Sequence, residues 1–298
     1  TILVKKPKAS DEAARIYYHD IGDYLSREDK LRIIRNMGDI SNPLMQWVTI
    51  TPNEHGDWLN KRSEQFKLYT PLEPEKKFDN KAKSFFVTYS LGVATGRDIW
   101  VYNFSRSDLM CRIQKMIEFY NDQCNKYKEA KKGNKNLLAD DFIDFDPTKF
   151  SWNRNQKQDL EKGIIHKYYP EHITIGIYRP FCKNNLYFSR DFNAMIYQNA
   201  RLFPTPNHRN LVICVSCISA NNGLSVLMTD CIPDLHSIGD SQCFPLYWYD
   251  DSTADIADLF SAPQSDADRY VRRDGVTDWI LSPARKQYGS RVTKEDIF

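Results

Sequence analysis

Between about Ser107 and Lys131 apolar residues return every three or four positions. Leu109, Ile113, Met116, Ile117, Tyr120, Cys124 and Tyr127 fall on a single stripe, the pattern of a helix that buries one face. Lys126, Lys128, Lys131 and Lys132 gather where the helix dipole is negative, and Gly133 supplies a stop. Two shorter helices are predicted around it. Ser26-Arg-Glu-Asp29 reads as a capping box opening a helix to about Met37, with Leu31, Ile34 and Met37 turned inward; a second runs from about Gln156 to Lys162 and closes at Gly163. Asn134 to Pro147 is polar and then acidic, a surface loop.

From His172 onward the period changes to that of strands. Ile173–Tyr178 and Leu186–Phe188 read as strands joined through Lys183-Asn-Asn185. Leu211–Cys217 and Leu224–Thr229 flank Asn221-Asn-Gly223, a hairpin-type turn, and Phe244–Tyr249 adds another strand. At the front, Ile2–Lys6 and Ala14–His19 are β-like runs that could pair as a hairpin. At the back, Thr293-Lys-Glu-Asp296 starts a further short helix. The pattern predicts an α+β fold: a mixed-sheet body with flanking helices, preceded by a β-hairpin and helix.

Composition adds limits. The 298 residues, 41% hydrophobic and 13% aromatic, suffice for a substantial core. A net charge of +2, from 41 Lys and Arg against 39 Asp and Glu, argues against wholesale electrostatic wrapping of nucleic acid, although a local basic face remains open. No apolar run is long enough for a membrane span. Seven cysteines, an odd number without framework spacing, predict a reducing cytoplasm.

Searches for catalytic motifs find nothing self-sufficient. Ser41-Asn-Pro-Leu44 lacks the second proline and the aromatic of an amino-methyltransferase element and reads as a turn. Gly92-Val-Ala-Thr-Gly96 lacks the Gly-Lys-Ser/Thr ending of a phosphate loop. Cys214-Val-Ser-Cys217 has zinc-like spacing, but residues three apart on a strand face opposite sides, and buried thiols are the plainer reading. Asp57, Glu75 and Lys77 could be arranged as the two carboxylates and lysine of a metal-dependent nuclease; the plainer reading is a solvated charge cluster in a proline-punctuated loop. Asn53, Glu54, His55 and Asp57 surround Gly56 ahead of Trp58, as a polar turn or as a sensing junction.

Residues suited to nucleic acid are scattered. In Thr95–Arg106 the alternation of Ile99, Trp100, Val101 and Tyr102 reads as a strand. Arg97 and Arg106 offer guanidinium forks, and Asn103 an amide that matches adenine. Arg97 is open to two readings, a buried ion-pair partner of Asp98 or another acid, or a DNA contact. Asn184, Asn185, Asn221 and Asn222 are turn-type asparagines that could also touch DNA. Lys132 and Lys135, in the basic run that begins at Lys126, would contact phosphate without sequence choice, as would Arg201, His208 and Arg209 around Pro204-Thr-Pro206.

Four stretches carry a family likeness: Pro52-Asn-Glu-His-Gly-Asp-Trp-Leu-Asn-Lys-Arg62, Thr95-Gly-Arg-Asp-Ile-Trp-Val-Tyr-Asn-Phe-Ser105, Tyr178-Arg-Pro-Phe181 and Phe244-Pro-Leu-Tyr-Trp-Tyr249. In this order they resemble the C-terminal part of type ISP single-chain restriction-modification enzymes, from about Ile2 to Phe298. The resemblance implies that residues 1–60 are the tail of an α/β adenine methyltransferase domain. Residues 61–298 would be a target recognition domain, truncated at its C-terminal end. It implies duplex DNA and the methyltransferase and helicase-like domains of one polypeptide as partners. S-adenosylmethionine, ATP and magnesium would serve the parent, with no cofactor and no catalysis in this chain. Two other classes stay in view: a nuclease fragment using Asp57, Glu75 and Lys77, and a structural coupler without DNA contact.

Overall fold

A computed structural model describes residues 14–54, 56–59, 63–79, 81–217, 223–251 and 269–298. Its contacts divide the chain into two units, Thr1–Tyr69 and Thr70–Phe298.

In the first unit, β1 (Ile16–Tyr18) pairs antiparallel with β2 (Val48–Ile50), Tyr17 opposite Thr49. The expected partner run Ile2–Lys6 lies outside the described residues. Helix α1 (Arg27–Met37) starts where predicted: the Ser26 hydroxyl accepts from the Asp29 amide at 3.1 Å and donates to its carboxylate at 2.7 Å. Its apolar positions do not turn inward as expected. Leu31 and Ile34 are 48% and 56% exposed, and α1 has no buried residue. Three-residue strands offer too little apolar surface to cover a helix face. Asn42 closes the Ser41–Leu44 turn by accepting the Leu44 amide at 2.9 Å.

The second unit is built around α3 (Arg106–Gly133), 28 residues whose predicted stripe from Leu109 to Tyr127 is buried along its length. Ser105 caps its start, accepting the Asp108 amide at 3.2 Å. Against the stripe pack Phe150, Trp152, Phe192 and α4 (Arg154–Lys162), with Tyr120 at the centre of an aromatic cluster. Gly163 ends α4 in the left-handed conformation, φ 71°.

Two four-stranded sheets flank this layer. One has the order β4 (Tyr102–Asn103), β6 (Cys182–Tyr187), β5 (Ile173–Arg179), β9 (Ile232–Pro233); only the β5–β9 pair is parallel. The other runs β3 (Ser90–Leu91), β10 (Ser241–Pro245), β7 (Val212–Ser216), β8 (Val226–Thr229), all antiparallel. A ribbon of β11 (Tyr247–Asp251) and β12 (Tyr270–Asp274) completes the strands. Early and late segments interlock. Phe86 bridges Val276, Val93 bridges Asp234, and Ser90 faces Cys243. Phe86, Phe244 and Val276 form a second buried cluster where they meet.

Several expectations about local structure are corrected. The alternating run Ile99–Tyr102 is no continuous strand. The Thr95 hydroxyl accepts the Arg97 amide at 3.2 Å and bonds the Asp98 carboxylate, winding Asp98–Val101 into a helical turn, α2, before β4. Lys183-Asn-Asn185 is no turn: all three residues lie within β6, Asn184 opposite Gly176 and Asn185 opposite Ile175. The reversal is made by Pro180 and Phe181, the latter at φ 61°. Phe244–Tyr249 divides at Leu246, whose amide turns aside to Leu211 (2.8 Å), so that β10 and β11 serve different sheets. The sequence reading missed α5 (Asn199–Leu202), β12 and α6 (Asp278–Tyr288), capped by Thr277. The last helix, α7 (Lys294–Ile297), carries the predicted capping box of Thr293 and Asp296.

Candidate nucleic-acid interface

The candidate side chains do not share one place. Arg97 is only 4% exposed. Its guanidinium donates to the Gln156 side-chain oxygen and lies 5.1 Å from the Phe150 ring centre. The burial of the first reading holds, but its partner is a neutral amide and not an acid, and that burial turns the group away from the surface contact of the second. Desolvation pulls its pKa down to about 10.

Arg201 is also engaged. It bonds Asp250 at 2.6 Å and stacks over Phe78 and Trp248, fastening α5 to the β11 ribbon. His208 sits between Tyr249 and Tyr270, and Thr205 lies 2.7 Å from its Nδ1. Arg209 is exposed. Lys132 is paired with Glu129 at 2.7 Å, and Lys135 is exposed just beyond α3. At about 1.5 Å rise per residue, these lysines lie roughly 40 Å along the helix from Arg106. Asn221 and Asn222 lie outside the described residues.

Four candidates do meet, at one corner of the β4–β6–β5–β9 sheet. The Asn103 side-chain oxygen accepts the Ser105 amide at 2.9 Å, which shapes the entry to α3. The Asn185 amide donates to the carbonyls of Asn103 (3.2 Å) and Phe104 (2.8 Å), extending the ladder past the end of β4. Arg106, exposed, reaches the Ile173 carbonyl at 3.3 Å. Asn184 is buried, and its side-chain oxygen has no hydrogen-bond partner.

A groove opens beside Asn184. Tyr102, Asn103, Phe104 and Tyr178 line it, together with Asp98 and Ile99 from α2 and Arg112 from α3. Phe104 and Ile99 are strongly exposed at its rim. Arg112 donates to the Ile99 carbonyl and so ties α2 to α3. Behind the groove, Arg179 lies 3.0 Å from Asp234, 3.7 Å from Asp98 and 4.0 Å from the Tyr178 ring centre. Burial pushes the Asp234 carboxyl up, opposed by the His236 backbone N–H and by Arg179. The Tyr102 hydroxyl, 3.4 Å from Asp234, is raised by burial first and by that carboxylate second. Arg112 was not singled out from the sequence, and Arg179 entered only within the Tyr178–Phe181 stretch and not as a contact candidate, because the carboxylates it meets, Asp98 and Asp234, are distant in the chain.

The catalytic alternatives find little here. Asp57 closes a loop with Asn53, whose side chain meets it at 3.0 Å twice. Glu75 is exposed, while Lys77 sits 3.8 Å over the Tyr89 ring with its pKa lowered by burial. Cys214 packs against Cys243, the sulfurs 3.8 Å apart. Among the described residues no group of three or more His, Cys, Asp or Glu is placed to hold a metal, and no helix is long and apolar enough to cross a membrane.

Comparison with solved structures gives the class: this is the fold found within DNA-bound restriction-modification enzymes. A nuclease-deletion mutant of the Type ISP enzyme LlaGI in complex with a DNA substrate mimic superposes with a TM-score of 0.66 at 29% identity, over 92% of this chain. The ATP-dependent Type ISP enzyme LlaBIII bound to DNA gives 0.66 at 28% over 95%, and a DrdV–DNA complex 0.69 at 25% over 95%. Residues 84–298 match the Type ISP C-terminal specificity domain, and the chain belongs to that family. It spans 21%, 17% and 26% of the three solved chains. No curated protein matches the sequence.

Proposed function

We propose that this chain is the DNA-reading module of a restriction-modification enzyme, and that it recognises a short duplex sequence without carrying out chemistry itself. The observation that carries this reading is the family match over 84–298, taken with relatives of the same fold that are bound to DNA. The groove beside Asn184 supports it locally. Aromatic walls and amide groups in the groove, with the exposed Arg106 at the same sheet corner, are the ingredients of base-edge and backbone contact.

In the whole enzyme the module would aim an adenine-N6 methyltransferase at its target and license ATP-driven translocation and cleavage. S-adenosylmethionine, ATP and magnesium would act in other domains. Residues 1–60 would be the end of the methyltransferase domain, and the exposed Leu31 and Ile34 face of α1 suits a helix covered by further structure.

Binding to a randomised duplex pool tests the reading. Capture should be salt-dependent and should enrich one defined sequence, the salt slope counting phosphate contacts at about 0.9 each. Binding with no enrichment would leave only a nonspecific clamp, and no binding at all would favour the coupler. Magnesium-dependent cutting of plasmid DNA, lost in Glu75→Ala, would favour the nuclease.

A further inference from the structure

We infer that Asn184 reads the exocyclic amino group of one base, adenine N6 or cytosine N4, inserted edge-on into the groove between α2 and the β5–β6 hairpin. This rests on the DNA-reading function proposed above and adds to it a residue, a chemistry and a position.

The starting point is an unspent acceptor. Asn184 is 7% exposed, and its side-chain oxygen is buried without a hydrogen-bond partner. Such a group is costly unless a ligand or water completes it. Its neighbours of the same type are committed. Asn103 uses its oxygen on the Ser105 amide, and Asn185 uses its amide nitrogen on two carbonyls at the end of β4. Asn184 therefore stands apart at this corner, inside β6 where the ladder holds its backbone.

The floor beneath it is closed. Gly176 sits directly opposite on β5, and a Cβ there would meet the Ile232 carbonyl at 3.2 Å and Tyr102 at 3.3 Å. The amide cannot relax by sinking further into the sheet. Its open side is the groove, flanked by Phe104, 76% exposed, and by Tyr178.

Charge selects the ligand. The Asp98 carboxylate lies on the groove wall and Asp234 behind it. Arg112 is occupied by the Ile99 carbonyl, and Arg179 by the two carboxylates and the Tyr178 ring. A phosphate would meet carboxylates and no uncommitted cation. A flat group that donates hydrogen bonds meets acceptors between aromatic walls. Major-groove amino groups fit that description: an Asn amide pairs with adenine N6 and N7, and a carboxylate accepts from cytosine N4.

The test is selection of binding sites from a randomised duplex pool with this chain, in wild-type, Asn184→Leu and Asn184→Asp forms. The expected result is a defined wild-type site that Asn184→Leu still finds while losing discrimination at one A·T or C·G pair, by roughly tenfold or more. Asn184→Asp separates the two bases. It abolishes the preference if the base is adenine and keeps it if the base is cytosine, since it retains the acceptor and loses the amide donor.

A second arm holds even if a variant fails to fold. Wild-type binding is measured to duplexes carrying purine for adenine, or pyrimidin-2-one for cytosine, one position at a time. A loss of about tenfold at one position supports the assignment. Asn184→Leu discriminating at every position as wild type does, or every amino-lacking duplex binding as tightly as its parent, overturns it while leaving the reading function intact. A wild-type chain that enriches no sequence overturns both.

Discussion

The side chain of Asn210 pairs with the backbone of Tyr247 as a neighbouring strand would. Its oxygen accepts the Tyr247 amide at 3.0 Å and its nitrogen donates to the Tyr247 carbonyl at 2.7 Å. The same amide serves the Leu211 N–H (2.9 Å) and the Leu202 carbonyl (2.9 Å), so one buried residue joins the end of α5, the approach to β7 and the start of β11. Asn210→Leu keeps the size and strands these four backbone groups. At about 1–3 kcal/mol for each buried group left unpaired, a loss of roughly 3 kcal/mol or more is expected, read as a lower urea midpoint.

Gly275 is fixed by proximity. A Cβ there would lie 1.9 Å from the Pro245 carbonyl oxygen, while its own backbone bonds Leu246 and Val87 at 2.7 Å each. Gly275→Ala must therefore break the junction between β10, β11 and β12. The expectation is a loss of several kcal/mol, comparable with severe core overpacking, seen as an early thermal transition or as insoluble protein. Gly133→Ala serves as the control, since nothing lies within 4 Å of its added methyl.

Arg97 makes the opposite prediction. A buried cation whose partner is an amide, with its pKa drawn down to about 10 by desolvation, costs stability at neutral pH. The folded state binds fewer protons than the unfolded state between pH 10 and the ordinary arginine value, so stability rises with pH there. Arg97→Met should match or exceed the wild type in denaturant, and the selected DNA sequence should be unchanged. A large loss, or a relaxed base preference, would contradict its placement in the core.

Acid should weaken the fold through His172. The ring packs against Tyr169 and Tyr187, and burial lowers its pKa from 6.5. The unfolded chain thus takes up its proton first. Stability is full above about pH 6.5 and declines as pH falls through that value toward the folded pKa. Asp191, held below the usual carboxylate range chiefly by its hydrogen bond to His166, adds a second decline below pH 3.8. His172→Phe should flatten the first decline and keep most of the second, which rests chiefly on His166 and only in small part on the His172 charge; urea midpoints measured from pH 8 to pH 3 would resolve the two.

What was legible in the sequence was what is local. The stripe of α3 is written at a period of 3.6 over about five turns, and the caps at Ser26, Gly163 and Thr293 need only three or four residues each. The β5–β6 reversal misled because paired asparagines are ordinary turn residues, while here Pro180 and Phe181 turn and the asparagines hold the strand. Ile99 to Tyr102 alternate as a strand does, but one hydroxyl, Thr95, winds all but Tyr102 into a helical turn. The groove was illegible for a different reason. Its parts come from residues 98–112, 178–184 and, behind it, 234, and no window of sequence contains that meeting.

The interlocking of Phe86 with Val276, Ser90 with Cys243 and Val93 with Asp234 has a practical outcome for protein engineering. A chimaera meant to borrow this module's target must import everything from ahead of Ser84 to beyond Thr277 as one cassette. Splicing in the β5–β6 hairpin alone would carry the asparagine and Tyr178 but leave Tyr102 and Phe104 with the donor.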